Sequence, residues 1–133
     1  MLVEDDEIDV EVLRRAFQRH GLTNDLVVAG DGPEALAYLR RREQGAIESA
    51  PVLVLLDLNL PTMSGFDVLQ QVRADANLRR SVVFVLSTSE REKDRRQAYD
   101  MNVAAYLVKG RAGPELDDIC HLVSSYCAAN QFP

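Results

Sequence analysis

The 133-residue chain has no tryptophan, only two cysteines and only two histidines. Cys120 and Cys127 lie seven positions apart in a segment of helical pattern. Two helical turns separate them by roughly 10 Å, too far for a disulfide, so packing is their expected role. Long apolar runs are also missing. No stretch approaches the ~20 residues of a membrane span, and the opening MLVEDD lacks the basic and then apolar segments of a secretion signal. A cytoplasmic protein is expected. Basic charge is scarce, 15 Lys and Arg against 21 Asp and Glu, a net charge of −6. Nucleic-acid binding needs clustered cations, whereas Arg40–Arg42 and the acid-interrupted run Arg91–Arg96 read as solvated helix faces. Neither nucleic acid nor membrane is an expected partner. Internal repeats, low-complexity tracts and linkers are absent as well.

What is present is alternation. Apolar residues make up 47% and charged residues 27%, ordinary for a globular protein, and the length favours one domain over residues 1–133. MLV reads as the tail of a first strand. From Asp6 to His20, Ile8, Val12, Leu13, Ala16 and Phe17 fall at helical spacing, with Gly21 just past the end. DLVVAGD (25–31) reads as a strand, and Pro33 suits the first turn of a helix carrying Ala35, Leu36 and Leu39. VLVLLD (52–57), VVFVL (82–86) and AAYLVK (104–109) are further strands. Between them run a loop, NLPTMSG, a helix with Phe66, Leu69 and Val72, and a polar helix following STSEREKDRR. GRAGPEL turns into a last helix with Leu116, Ile119, Cys120, Val123 and Cys127 on one side. Apolar runs without polar alternation imply strands buried on both faces. Five βα units then imply a doubly wound, flavodoxin-like α/β fold: a five-stranded parallel sheet in a three-layer sandwich. Ligands of such sheets bind outside the carboxyl ends of the strands.

Those ends carry chemistry. Glu4, Asp5 and Asp6 follow the first strand, Asp57 the third, Ser87 and Thr88 the fourth, and Lys109 the fifth. Packed carboxylates repel one another, and a hard divalent cation such as Mg²⁺ resolves the repulsion. Lys109 offers a point charge for a phosphoryl oxygen and Ser87 a hydrogen bond, so positioning and charge neutralisation for phosphoryl transfer are both supplied. Asp57, alone at the end of an apolar strand, is the natural nucleophile. Plainer readings stand beside these. Glu4 and Asp5 serve equally well as acids at a helix N-terminus, which is the preferred reading for Asp6. Ser87 or Thr88 also reads as a helix cap, with Glu90 or Glu92 closing a capping box, the preferred reading for Thr88 or Ser89. Lys109 also reads as an exposed strand-end lysine.

LVEDD, LLDLNLPTMSG, VLSTS and YLVK resemble, in that order, the motifs of response-regulator receiver domains of two-component signalling, the CheY-like family. The resemblance covers essentially the whole chain. It implies that Asp57 accepts a phosphoryl group from a sensor histidine kinase in a Mg²⁺-dependent reaction. It further implies that Glu4, Asp5, Asp57 and the backbone carbonyl of Asn59 hold the metal, that Ser87 and Tyr106 form the switch, and that Lys109 contacts the phosphoryl group. LLDLNLPTMSGFDVL, LRRSVVFVLSTS and AYDMNVAAYLVK are similar to stand-alone regulators paired with phytochrome-type histidine kinases, which implies a homodimer through the face of the fourth helix, fifth strand and fifth helix. Leu122 and Tyr126, off the main stripe of the last helix, fit either that interface or a wide buried stripe. One departure is Gly110, where the family usually has proline after the lysine. A non-proline cis bond costs about 3 kcal/mol, so a trans bond or a rearranged loop is expected there. With no output domain expected after NQFP, signalling falls to a downstream protein or a phosphotransfer partner.

Three other functions compete. A Mg²⁺-dependent aspartyl phosphohydrolase wants a second Asp two residues after the first, where this chain has Asn59. A flavodoxin-type FMN carrier needs a phosphate-cradling first loop, and EDDE repels phosphate. A receiver-like binding module that is never phosphorylated is supported only by Gly110. An enzyme acting on a separate substrate is therefore not the expected reading.

Overall fold

A computed structural model describes residues 1–45, 51–110 and 114–132; residues 111–113 of the expected GRAGPEL turn and Pro133 of NQFP lie outside the described residues. The elements run β1 (Leu2–Val3), α1 (Glu7–Arg19), β2 (Val28–Ala29), α2 (Gly32–Glu43), β3 (Leu53–Leu56), α3 (Gly65–Ala74), β4 (Val82–Ser87), α4 (Glu92–Asp100), β5 (Ala105–Val108) and α5 (Pro114–Ala129). The strands form one sheet in the order β2-β1-β3-β4-β5, every pair parallel. Chain order reverses between β1 and β3, so the ligand-binding crevice of this fold lies at their carboxyl ends.

The apolar runs are continuous because successive strand residues feed opposite layers. Val54 and Leu56 join Ala35, Leu36 and Leu39 of α2, Val68, Leu69 and Val72 of α3, and Ala98 of α4. Leu53 and Leu55 join Leu13, Ala16 and Phe17 of α1, and Ile119, Cys120 and Val123 of α5. Burying each such leucine contributes roughly 2 kcal/mol. Helix starts are locally encoded. Asp6 caps α1 and Asp31 caps α2, whose first turn holds Pro33, while Ser64 and Asp67 form a capping box on α3. Both cysteines are free, and burial pushes each thiol up from its ordinary value.

Several expectations change. β2 pairs only at Val28 and Ala29, short of 25–31, because its one neighbour, β1, is itself two residues long. Ile8 and Val12 do not join the core; they are 74% and 43% exposed. The buried face of α1 centres on Leu13, Ala16 and Phe17, and at ~100° per residue Ile8 lies well outside that arc and Val12 just beyond its edge. The N-cap of α4 is Arg91, with no side-chain capping bond. Thr88 and Ser89 therefore do not form a box with Glu90 or Glu92. Tyr126 packs edge-on against Phe84 at 5.0 Å and Phe132 at 5.9 Å, so it extends the buried stripe of α5, whereas Leu122 is exposed. No cis peptide bond occurs among the described residues, so the Lys109–Gly110 bond is trans as expected.

Arg73, near the end of α3, ties three segments together. Its guanidinium donates to the carbonyls of Met101 at 2.9 Å, Arg79 at 2.8 Å, Ser81 at 2.9 Å and Asn102 at 2.8 Å. Burial holds its pKa below the usual arginine value. Arg73→Ala strips four carbonyls of their donor, and water reaches the exposed two. A loss of about 2 kcal/mol is expected, read as a lower urea midpoint at unchanged slope.

Candidate functional site

Backbone pairing carries the strand ends to one edge. The Glu4 amide donates to the Ala29 carbonyl at 3.0 Å, the Asp57 amide to the Val3 carbonyl at 3.0 Å, and the Lys109 amide to the Ser87 carbonyl at 2.8 Å. Each residue thus continues the ladder one step past its strand, which holds it against its neighbour. Glu4 and Asp57 are only 3% and 5% exposed, although carboxylates are rarely buried without partners. Asp5 stays exposed.

Lys109 is the partner. Its ammonium donates to Glu4 Oε2, to Asp9 Oδ2 at 3.1 Å and to Asp57 Oδ2 at 3.2 Å, and its side chain is 12% exposed. Burial alone depresses an ammonium's pKa; here the hydrogen bond that Lys109 donates to Glu4 and the charges of Asp57 and Glu4 outweigh it, and Lys109 is held above its ordinary value. Burial pushes the Glu4 carboxyl up, and the Asp57 charge adds to that, while Lys109 and the Asp6 amide pull the other way. The Asp57 carboxylate is oriented from two sides, since Oδ1 accepts from the Asn59 amide at 3.1 Å. The loop after β3 reaches that position because Gly65 packs directly on Asp57 and Leu58, its amide donating to the Leu58 carbonyl at 2.9 Å.

Glu4 is thus no mere helix-terminus acid, and Lys109 no exposed strand-end lysine. Asp6 does take the plainer role. Its Oδ1 accepts from the Ile8 amide at 2.8 Å and the Asp9 amide at 3.3 Å, turned into α1. Asp9 was not singled out by motif or strand ending. Its only signal is an acid in the first turn of α1, and the packing of α1 against the strand ends brings it to Lys109. Ser87 is fully buried, and its Oγ accepts from the Ser89 amide at 3.1 Å. Tyr106 is half-buried, and its hydroxyl donates to the Ser89 carbonyl at 2.9 Å.

Among the described residues, Glu4, Asp5 and Asp57 form the one group of three or more whose carboxylate oxygens lie close enough to share an ion, within 4.8 Å of one another. Hard oxygen donors at that spacing fit a hard divalent cation. The cluster also fixes the weight of Lys109. Lys109→Met leaves Glu4 and Asp57 without their cation, and removing one member of a buried pair is costly. Solvent at the half-exposed Asp9 moderates this, so a destabilisation of about 2 kcal/mol is expected in metal-free urea titrations.

Residues 1–121 match the model of the response regulator receiver domain. The chain is 39% identical over 126 residues to a probable methanogenesis regulatory protein, FilR2, of Methanothrix harundinacea, covering 95% of this chain and 81% of that one. It is 32% identical over 126 residues to response regulator Rcp1 of Synechocystis, covering 95% and 86%. A structure of the Mn²⁺-bound form of Rcp1 superposes with a TM-score of 0.83 over 99% of this chain and 96% of that one, at 31% identity. The phosphorylated cyanobacterial phytochrome response regulator RcpA superposes with a TM-score of 0.85, at 36% identity over 99% and 95%. No described helix is long and apolar enough to cross a membrane. With the parallel sheet, the acidic strand ends and a family match over nearly the whole length all in agreement, the chain belongs to the response regulator receiver domain family.

Proposed function

We propose that this receiver domain accepts a phosphoryl group on Asp57 from the phosphohistidine of a sensor histidine kinase of the phytochrome type, and signals by a change of surface. The observation that carries the reading is the buried Asp57 carboxylate held between the Asn59 amide and the Lys109 ammonium. One Asp57 oxygen attacks phosphorus, the P–N bond to the kinase imidazole breaks, and an acyl phosphate forms. The reaction asks for positioning and charge neutralisation. Lys109, already against Asp57, supplies a cation for the phosphoryl oxygens. Ser87, one strand over, supplies a hydroxyl. Glu4, Asp5, Asp57 and the Asn59 backbone carbonyl are the proposed Mg²⁺ ligands. Mg²⁺, when bound, neutralises charge on the carboxylates and the phosphoryl group. Catalysis on this reading is limited to the chain's own phosphorylation and dephosphorylation.

Ser87 and Tyr106 are the proposed switch, since both already bond to Ser89. The output surface is the face of α4, β5 and α5. Tyr99, Val108 and Leu122 are exposed there at 50%, 39% and 39%, which supports a homodimer or a downstream partner on that face. Residues 1–133 then act as one receiver domain, and a cytoplasmic location goes with the reading. The test is incubation with acetyl phosphate and Mg²⁺, or with a phosphorylated phytochrome-type kinase, followed by intact-mass analysis. One phosphoryl group per chain, mapped to Asp57 and lost on chelation of Mg²⁺ during the reaction, is expected. Label on another residue would refute the assignment.

A further inference from the structure

The nine-residue helix α4 is weakly anchored. It buries only Ala98, and its N-cap residue, Arg91, makes no side-chain capping bond. Helices this short are marginal without tertiary contacts, so a few polar bonds decide where its first turn sits. Most of those bonds converge on Ser89. The Ser89 hydroxyl donates to Asp94 Oδ2 of α4 at 2.5 Å and accepts from the Arg91 amide at 3.3 Å. The Ser89 amide donates to Ser87 Oγ at 3.1 Å, and its carbonyl accepts from the Tyr106 hydroxyl at 2.9 Å. One residue therefore touches a strand-end hydroxyl, the β5 aromatic and an α4 carboxylate. The other first-turn acid, Glu92, bonds instead to Arg96 within the exposed helix at 2.5 Å.

We infer that Ser89 and Asp94 are positioning residues that couple the Ser87 hydroxyl to α4, so that this pair sets how far the helix responds to phosphorylation without taking part in phosphoryl uptake. The inference rests on the proposed acceptor role of Asp57. A phosphoryl group there draws Ser87 Oγ toward itself, and the Ser89 amide loses its acceptor. The shift of Ser89 passes to the first turn of α4 through the Asp94 bond and to Tyr106 through the carbonyl. Without the Asp94 bond the loop still moves, but α4 is no longer tied to it.

The test is hydrogen exchange at the amides of residues 91–95, before and after labelling with acetyl phosphate and Mg²⁺, with label measured separately by intact mass. Asp94→Ala is expected to take up full label. Its unlabelled α4 first turn exchanges about tenfold faster than wild type, the scale of one lost hydrogen bond, and the further change on labelling falls below about twofold. Ser89→Thr keeps the hydroxyl and is expected to retain the wild-type response. Glu92→Gln removes a first-turn charge without touching Ser89 and is expected to retain it too. A wild-type-sized response in fully labelled Asp94→Ala overturns the coupling, as does an equal loss in Glu92→Gln. An unlabelled wild type removes the acceptor reading itself and the coupling with it.

Discussion

Asp57→Asn is expected to fold normally and take up no phosphoryl label from acetyl phosphate or from a kinase. The amide is nearly isosteric with the carboxylate, so the space between β1, β4 and the loop after β3 stays filled. Its oxygen still accepts from the Asn59 amide, the bond that Asp57 Oδ1 now makes at 3.1 Å. Lys109 loses one of three carboxylate partners but keeps Glu4 and Asp9. Glu4 is relieved of the Asp57 charge that pushes its pKa up. These effects oppose one another, so stability should move by less than about 1 kcal/mol. Chemistry, in contrast, is lost completely. An amide oxygen is a poor nucleophile, and Glu4, the other carboxylate held between an amide and the Lys109 ammonium, lies at the end of β1 rather than at the Asp57 position. Intact-mass analysis with a thermal melt as control separates the two outcomes. Stoichiometric label on a folded Asp57→Asn chain would end the proposal.

Gly65→Ala should do the reverse, destroying the fold around the site rather than the nucleophile. A Cβ built on Gly65 would lie 2.2 Å from the Asp57 carbonyl oxygen and 2.7 Å from the Leu58 Cα. Both are backbone atoms at the exit of a buried strand, so no side chain swings away. The start of α3 must separate from β3, which breaks the bond from the Gly65 amide to the Leu58 carbonyl. A cost of about 4 kcal/mol is expected, at the severe end for one substitution, with phosphoryl uptake falling because Asp57 shifts with its backbone. Gly21→Ala is the matched control. Gly21 has a φ of +65° but nothing within 4 Å of its Cβ position, so only the conformational penalty of about 1 kcal/mol applies. Similar urea midpoints for the two variants would show that the close approach at Gly65 is not tight.

The alternation of apolar runs and amphipathic stretches is enough by itself to imply five strands, five helices, parallel pairing and three layers. That information is local, because a strand buried on both faces must be apolar at every position and a helix start must satisfy its own amides. The motif residues were legible for a related reason. Polar groups that close apolar strands stand out against what surrounds them, as Asp57 does after VLVLL. Tertiary packing decided what depends on the angle and depth at which elements meet. The packing of α1 beside the strand ends delivered Asp9 to Lys109. The depth of the strand-end crevice turned Glu4 and Lys109 from two ambiguous charges into a buried pair, and left Asp6 as a cap. Spacing along the chain fixes which way a side chain points from its own helix or strand, but the distance between groups 52 or 105 residues apart exists only once the layers have closed on one another.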